Sequence, residues 1–436
     1  MDISITEMQF PLGFRDKDAK TLGIHLQHRQ SVQLIGMKRV GISNFLRFFL
    51  YHKDIKRLYI PKDGKILLIP IDLNNLIERE VFPFWRLTFK RIVDTIENSV
   101  LDTSLKQKIS DLFDNSIQSG DLFLTFDGVR ESLVELVKAS IYPTLFFLRF
   151  DRMSDSATPE FLNNLQAMQD ATNQKLSYVF TSYRELDVLA PKTFSRQTMS
   201  SFAATQYMKP ANSTDMDSMF GALSDKYHLS LPPAIRQLII DMSGGHAQYV
   251  QLALVVLHEV TLKKKILSEE DITQALENDE RIILQSEELW ESLTEEEQEI
   301  VRRVVDGKKI NAQERERGQY LWNTGFIGER NGMSMLFSPL FELFVENNGR
   351  RKNQQPTLVE FSKKEHMLFE LLKKFPNQIV EREKIVELVW PEYKEYGVSD
   401  WSVDRLVARV RGKLKKQKND FEIVTIRTRG YKLATS

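Results

Sequence analysis

The segment SVQLIGMKRVGISNFLRFFL, residues 31 to 50, constrains the fold more than any other stretch of this chain. An apolar run with strand character enters a loop bounded by Gly36 and Gly41, and an apolar-rich helix follows, with Ser43 in its first turn. Strand, glycine-bounded loop and helix in that order form a phosphate-binding loop. Successive backbone N–H groups and the positive end of the helix dipole hold an anion there, and the hydroxyl that closes the loop directs magnesium. The position normally filled by the phosphate-binding lysine is Ile42, while Lys38 and Arg39 offer positive charge from another part of the loop. Further strand candidates, Ile66 to Asp72, Thr144 to Asp151 and Leu176 to Thr181, alternate with longer amphipathic stretches. That alternation implies a parallel sheet flanked by helices.

At 436 residues the chain has room for several domains. Residues 1–195 are expected to form the α/β P-loop core, and residues 196–279 a helical lid in which Pro232 and Pro233 open one helix and Gly244 and Gly245 end it. Residues 280–348 begin with an acidic helix capped by Thr294 and end in short β-like runs around Asn331 and Gly332, a winged-helix-like module. Residues 349–357, polar and basic, read as a linker, and residues 358–436 as a further DNA-binding domain.

In that last segment the helix from Trp401 to Lys416 places Val403, Leu406, Val407, Val410 and Leu414 on one face and Arg405, Ala408, Arg409, Gly412 and Lys416 on the other. A basic alternating run, Phe421 to Leu433, follows it. A basic helix followed by a basic hairpin is the pattern of a winged helix. Charge agrees: residues 350–436 hold 20 Lys and Arg against 12 Asp and Glu, a net +8 in a chain whose formal total is zero. The absence of cysteine excludes disulfides and thiolate metal sites. His25 and His28 have no acids or thiols at metal-binding spacing. Without an uninterrupted apolar stretch of membrane-spanning length, the chain is expected to be cytoplasmic, with no membrane partner.

Residues 1 to about 280 resemble the P-loop ATPase module of the AAA+/STAND class. LFFLRFD, ending at Asp151, is similar to the strand that carries a magnesium-directing acid, with Arg152 where a water-activating acid often stands. FTSYRE offers Thr181, Ser182 and Arg184 at the nucleotide-sensor position, and SGGHAQ, containing His246, resembles the lid's Gly-Gly-x-Pro sequence with Ala247 in place of proline. The resemblance implies ATP or ADP with magnesium as cofactor, held by Gly36, Lys38, Arg39, Gly41, Ser43, Asp151, Thr181, Ser182, Arg184 and His246, with Ser43 and Asp151 toward the metal. Phosphoryl transfer depends on positioning and on neutralising developing charge, so Ile42 and Arg152 point to a degenerate domain that no longer hydrolyses.

Residues 358–433 resemble the OmpR/PhoB-type winged helix. The match runs through FSKKEHMLFELLKKFPNQIVEREKIVELVW (361–390), VSDWSVDRLVARVRGKL (398–414) and IVTIRTRGYKL (423–433). It implies double-stranded DNA as partner, with Arg405, Arg409, Arg411, Lys413, Lys416, Arg427, Arg429 and Tyr431 as candidate contacts and Arg429 toward the minor groove. A single winged helix covers one half-site, which implies a homo-oligomer or a protein partner through the P-loop domain. Three functions fit these features: a DNA-binding regulator with a ligand-switched or scaffolding P-loop domain, an active oligomeric ATPase recruited to DNA, or an interaction scaffold. Ile42 separates the first two, because a motor needs the missing cation.

Overall fold

The computed structural model describes residues 6–59, 65–227, 229–263, 268–330, 332–353, 361, 363–390, 400–416, 421–426 and 429–435. The chain divides into two compact units, Met1–Asn347 and Asn348–Ser436.

The first unit is built on a parallel sheet of β1 (Ser31–Ile35), β2 (Lys65–Asp72), β3 (Ile141–Leu148), β4 (Ser177–Ser182) and β5 (Ala203–Tyr207), in the order β2-β3-β4-β1-β5. Every residue of β1 is buried, as a strand covered on both faces requires, and Val32 pairs with Val179 of β4 on one side and Ala204 of β5 on the other. The P-loop therefore leaves the sheet between β4 and the edge strand β5, beside the carboxyl end of β4. One expected strand ends early, and one strand lies outside the expected set. The run Thr144 to Asp151 stops at Leu148, because Arg149 takes a left-handed conformation (φ 59°) and Phe150–Met153 form a 3-10 turn. β5 falls inside the segment assigned to the lid, so the α/β core extends beyond residue 195 to Tyr207. It is a half-polar edge strand, too short and too mixed to announce itself by periodicity.

Between β2 and β3 the helices Val81–Glu97, Thr103–Ser119 and Leu122–Lys138 cover one side of the sheet. Phe84, Trp85, Phe147, Phe150, Phe161 and Phe180 pack edge to face or tilted in the core there. A separate core joins the P-loop side of the sheet to the lid helices Ser213–Lys226, Pro233–Ser243 and Ala247–Lys263. That core continues without a break into residues 280–347: Trp290, Ile300, Tyr320, Phe326 and Phe341 belong to the same cluster as Leu34, Phe45 and Tyr249. The segment holds the helices Glu280–Glu291, Glu295–Val305, Ala312–Arg317 and Gln319–Thr324, then the hairpin β6 (Ile327–Arg330) and β7 (Met333–Leu336). Thr294 caps the second of these helices through a reciprocal capping box with Glu297.

The helix Pro339–Asn353 runs through residues 349–353 of the expected linker. Gly349 does not stop it, since one glycine inside a helix costs only about 1 kcal/mol. Residues 354–357 of that linker lie outside the described residues.

The second unit contains the helices Lys363–Lys374, Arg382–Val389 and Asp400–Lys416 and the antiparallel strands β8 (Ile379–Glu381), β9 (Phe421–Ile426) and β10 (Gly430–Thr435), ordered β8-β10-β9. Leu368, Leu372, Ile385, Val389 and Trp390 meet Val403, Leu406, Val407, Val410 and Leu414 in its core. Each fully buried side chain of this kind contributes roughly 1.5–3 kcal/mol.

Candidate functional site

The P-loop spans Gly36 to Ser43, and its conformation follows from local residue types. Arg39 (φ 62°) and Gly41 (φ 113°) turn the chain, and the helix Ile42–Tyr51 starts directly after Gly41. A side chain at Gly41 would be strained by that φ and would lie 3.2 Å from the Ala247 methyl group of the lid. The backbone N–H of Gly36 donates to the Ser182 carbonyl, which ties the start of the loop to the end of β4. Ile42 folds back over the loop's first glycine: its Cδ1 would be 3.2 Å from a methyl group placed on Gly36. The residue at the lysine position is thus an apolar side chain packed against the core.

The lid reaches the loop through His246. Its ring is fully buried, and burial lowers its pKa to about 4. The neutral imidazole donates from Nε2 to the Lys38 carbonyl at 2.9 Å, and Nδ1 accepts the Tyr249 N–H at 3.4 Å. One tautomer satisfies both bonds, so His246 braces the loop from behind. The loop's cations have separate surroundings. Lys38 places its ammonium 4.6 Å from the centre of the Tyr183 ring, whereas Arg39 donates from Nε to Glu288 at 2.8 Å.

Arg149, which flanks Asp151 in LFFLRFD, lies at the end of β3 and reaches the loop. Its Nη1 donates to both carboxylate oxygens of Asp72, to Oδ2 at 2.6 Å, and its Nη2 lies 3.4 Å from the Ser43 hydroxyl. Asp72 at the end of β2, not Asp151, is the partner of this guanidinium. Asp151 sits in the 3-10 turn, where burial pushes its carboxyl above the usual range against the opposing fields of Lys38, Arg152 and Arg149. Thr181 accepts the Arg149 N–H at 2.8 Å, and Ser182 donates to the Arg184 carbonyl at 2.5 Å.

Arg184 turns away from the loop into residues 280–347. It donates from Nη1 to Glu297 Oε1 at 2.8 Å and from Nη2 to Glu297 Oε2 and to the Ser292 carbonyl, and it stacks 3.7 Å from the centre of the Tyr320 ring. Both partners of this pair are buried. Of the ten candidate nucleotide residues, Gly36, Lys38, Arg39, Gly41 and Ser43 form the loop and His246 touches it. The side chains of Arg39 and Arg184 bind Glu288 and Glu297.

The donor set fits an anion and does not fit magnesium. Magnesium requires oxygen ligands in near-octahedral geometry, but Ser43 faces a guanidinium, Asp72 is engaged by the same guanidinium, and burial works against the charge on Asp151. For an anion the site has the loop, Lys38, Arg149 and one more cation. Arg15 is buried, donates from Nη1 to the Lys209 carbonyl at 2.7 Å and to Asp18 at 3.4 Å, and leaves Nε and Nη2 without hydrogen-bond partners. Its Nη2 lies 3.9 Å from a methyl group placed on Gly41, directly beside the loop.

In the second unit, Ala408 and Gly412 are exposed on the helix Asp400–Lys416, with Arg405 and Arg409 half-buried beside them. Several of the candidate DNA contacts also have partners within the unit. Arg411 donates to the Ile423 carbonyl at 2.7 Å and to the Thr425 hydroxyl at 2.8 Å, fastening the helix to β9. Lys413 bonds Glu365 at 2.5 Å, and Arg409 approaches the same buried carboxylate at 3.7 Å. Tyr431 is a core residue whose phenol donates to Asp404, an acid that also accepts from Arg382 at 2.5 Å. Arg429 is exposed at the turn before β10. Arg427 and the side chain of Lys416 lie outside the described residues.

Residues 354–433 match the family model described as "Transcriptional regulatory protein, C terminal", so this part of the chain is a winged helix of the OmpR/PhoB type. No curated protein matches the chain by sequence. Among solved structures, the ORC2 protein of Aeropyrum pernix in its ADPNP–ADP complexes is similar at 16% identity and a TM-score of 0.45, over 78% of this chain and 94% of that one. The Walker-type ATPase paby2304 of Pyrococcus abyssi is similar at 14% identity and a TM-score of 0.44, over 78% of this chain and 100% of that one. The Aeropyrum pernix ORC1 protein in complex with DNA aligns at 9% identity and a TM-score of 0.43, over 98% and 90% of the two chains. The first unit's own sheet order and the loop after β1 are those of a parallel α/β P-loop fold. No helix among the described residues is long and apolar enough to cross a membrane.

Proposed function

We propose that the chain is a sequence-specific DNA-binding transcriptional regulator whose P-loop unit acts as a nucleotide-responsive switch or assembly scaffold and not as a hydrolysing motor. The observation that carries the reading is the winged helix at residues 354–433 with its basic helix. Arginine reads guanine edges through paired donors, and Arg405 and Arg409 flank the small exposed residues Ala408 and Gly412, where the helix can approach bases closely. Arg429 extends the surface toward phosphates or the minor groove. A second copy would supply the other half-site.

Two features support the absence of turnover. The residue at the lysine position is apolar, and the cation against Ser43 is a guanidinium anchored to Asp72. Phosphoryl transfer is catalysed by positioning and by preorganised positive charge at the transferred group, and here the loop lysine is missing while the metal-directing hydroxyl faces a guanidinium. Phosphate release by the purified chain is expected to stay at background with ATP, magnesium and DNA present. Turnover at ordinary ATPase rates that is lost in Asp151→Ala would overturn the switch reading in favour of a motor recruited to DNA. On the DNA side, Arg429→Ala is expected to weaken binding and flatten its dependence on salt by about one counterion. A gel-shift series across salt in which this variant tracks the native chain would remove the wing from the interface.

A further inference from the structure

The guanidinium of Arg149 stands beside the hydroxyl that closes the P-loop, the group that in loops of this kind turns toward a divalent cation. We propose that this P-loop holds the phosphates of a nucleotide without a divalent cation, with Arg149 in the place of the ion. The inference rests on the proposal that the first unit binds a nucleotide, and it specifies the chemistry of that binding.

The placement of Arg149 is determined at both ends. Its backbone is fixed by the left-handed turn and by the bond from its N–H to Thr181, so the side chain leaves β3 in one direction. Its head is fixed by Asp72, which engages Nη1 through both oxygens and leaves Nη2 directed at Ser43. A guanidinium held this way keeps unused donors in a planar fork, the geometry that pairs with phosphate oxygens. The Arg149 side chain is 37% exposed, so a ligand can reach it. Arg15 adds an independent observation. Its Nη1 meets Asp18 and the Lys209 carbonyl, while Nε and Nη2, buried beside Gly41, have no hydrogen-bond partner, and an anion at the loop would supply one. A magnesium ion against Ser43 would meet like charge from Arg149, while a phosphate at the same place would meet opposite charge. Ile42 fits the same account, since the positive charge lost there is restored from β3.

The test is isothermal titration of the full chain with ADP and with ATP, once in EDTA and once in magnesium. The dissociation constants in the two buffers are expected to agree within about threefold, and Arg149→Met is expected to weaken binding in EDTA by about tenfold or more. Asp72→Asn keeps the charge of Arg149 and removes the carboxylate that competes for it, so this variant is expected to bind more tightly than the native chain. Thermal melts of both variants report folding. If Arg149→Met does not fold, the two-buffer comparison of the native chain and the Asp72→Asn result decide. Binding that requires magnesium, or Arg149→Met that folds and binds as the native chain does, overturns the inference and leaves nucleotide binding standing. No binding in either buffer overturns nucleotide binding itself, and the inference with it.

Discussion

His246 shows how one residue links the lid to the phosphate-binding loop. Burial lowers its pKa to about 4 from an ordinary 6.5, so above pH 6.5 the ring is neutral in the folded and unfolded chain alike. As the pH falls from 6.5 toward 4 the unfolded chain takes up a proton that the folded chain refuses, and stability declines. Between pH 7 and pH 5 the loss from this group is about 2 kcal/mol. His246→Gln keeps a donor for the Lys38 carbonyl and removes that part of the pH dependence. Urea midpoints of the two chains at both pH values check it, and equal losses would contradict a buried neutral imidazole. At this scale the loop glycines and Ser43 were legible because their spacing in sequence is their geometry. Arg149 was legible only as a charge flanking Asp151, since its partners Asp72 and Ser43 lie 77 and 106 residues away. Likewise the partner of Lys413, Glu365, lies 48 residues earlier and leaves no local signal in the sequence.

The two faces of the helix Asp400–Lys416 divide as the apolar periodicity implied: Val403, Leu406, Val407, Val410 and Leu414 are buried, while Ala408 and Gly412 are exposed. What periodicity could not divide is the basic residues among themselves. Arg411 fastens the helix to β9, and its replacement by alanine is expected to destabilise the second unit by about 1–3 kcal/mol, because two hydrogen bonds from a charged group are lost. Denaturant unfolding monitored on this unit checks the value, and a loss confined to DNA affinity would show that the contact to β9 contributes nothing. β5 escaped notice for a related reason. An edge strand of five residues with a half-polar face has too few positions to establish a period of two, and only its pairing with β1 reveals it.

At the scale of the whole molecule, the neutral total charge conceals a division of labour, with +8 on residues 350–436 and the balance on the remainder. Residues 280–347 looked separable in sequence but share one hydrophobic core with the P-loop and lid, and two ion pairs reinforce the join: Arg184 with Glu297, and Arg39 with Glu288. The first pair is buried, so Glu297→Ala strands a guanidinium and is expected to cost roughly 3–5 kcal/mol. A loss below about 1 kcal/mol in chemical denaturation would mean that this segment is only loosely joined to the P-loop.

The central claim is that the first unit serves a sequence-reading output. Selection of duplexes from a random pool by the full chain, followed by anisotropy titration of the selected DNA at fixed salt, tests it most directly. One recurrent motif is predicted, with each of Arg405→Ala and Arg409→Ala reducing the preference for it by roughly 1–3 kcal/mol and the double variant abolishing it. No recurrent motif, or a double variant that retains the preference, would contradict the account.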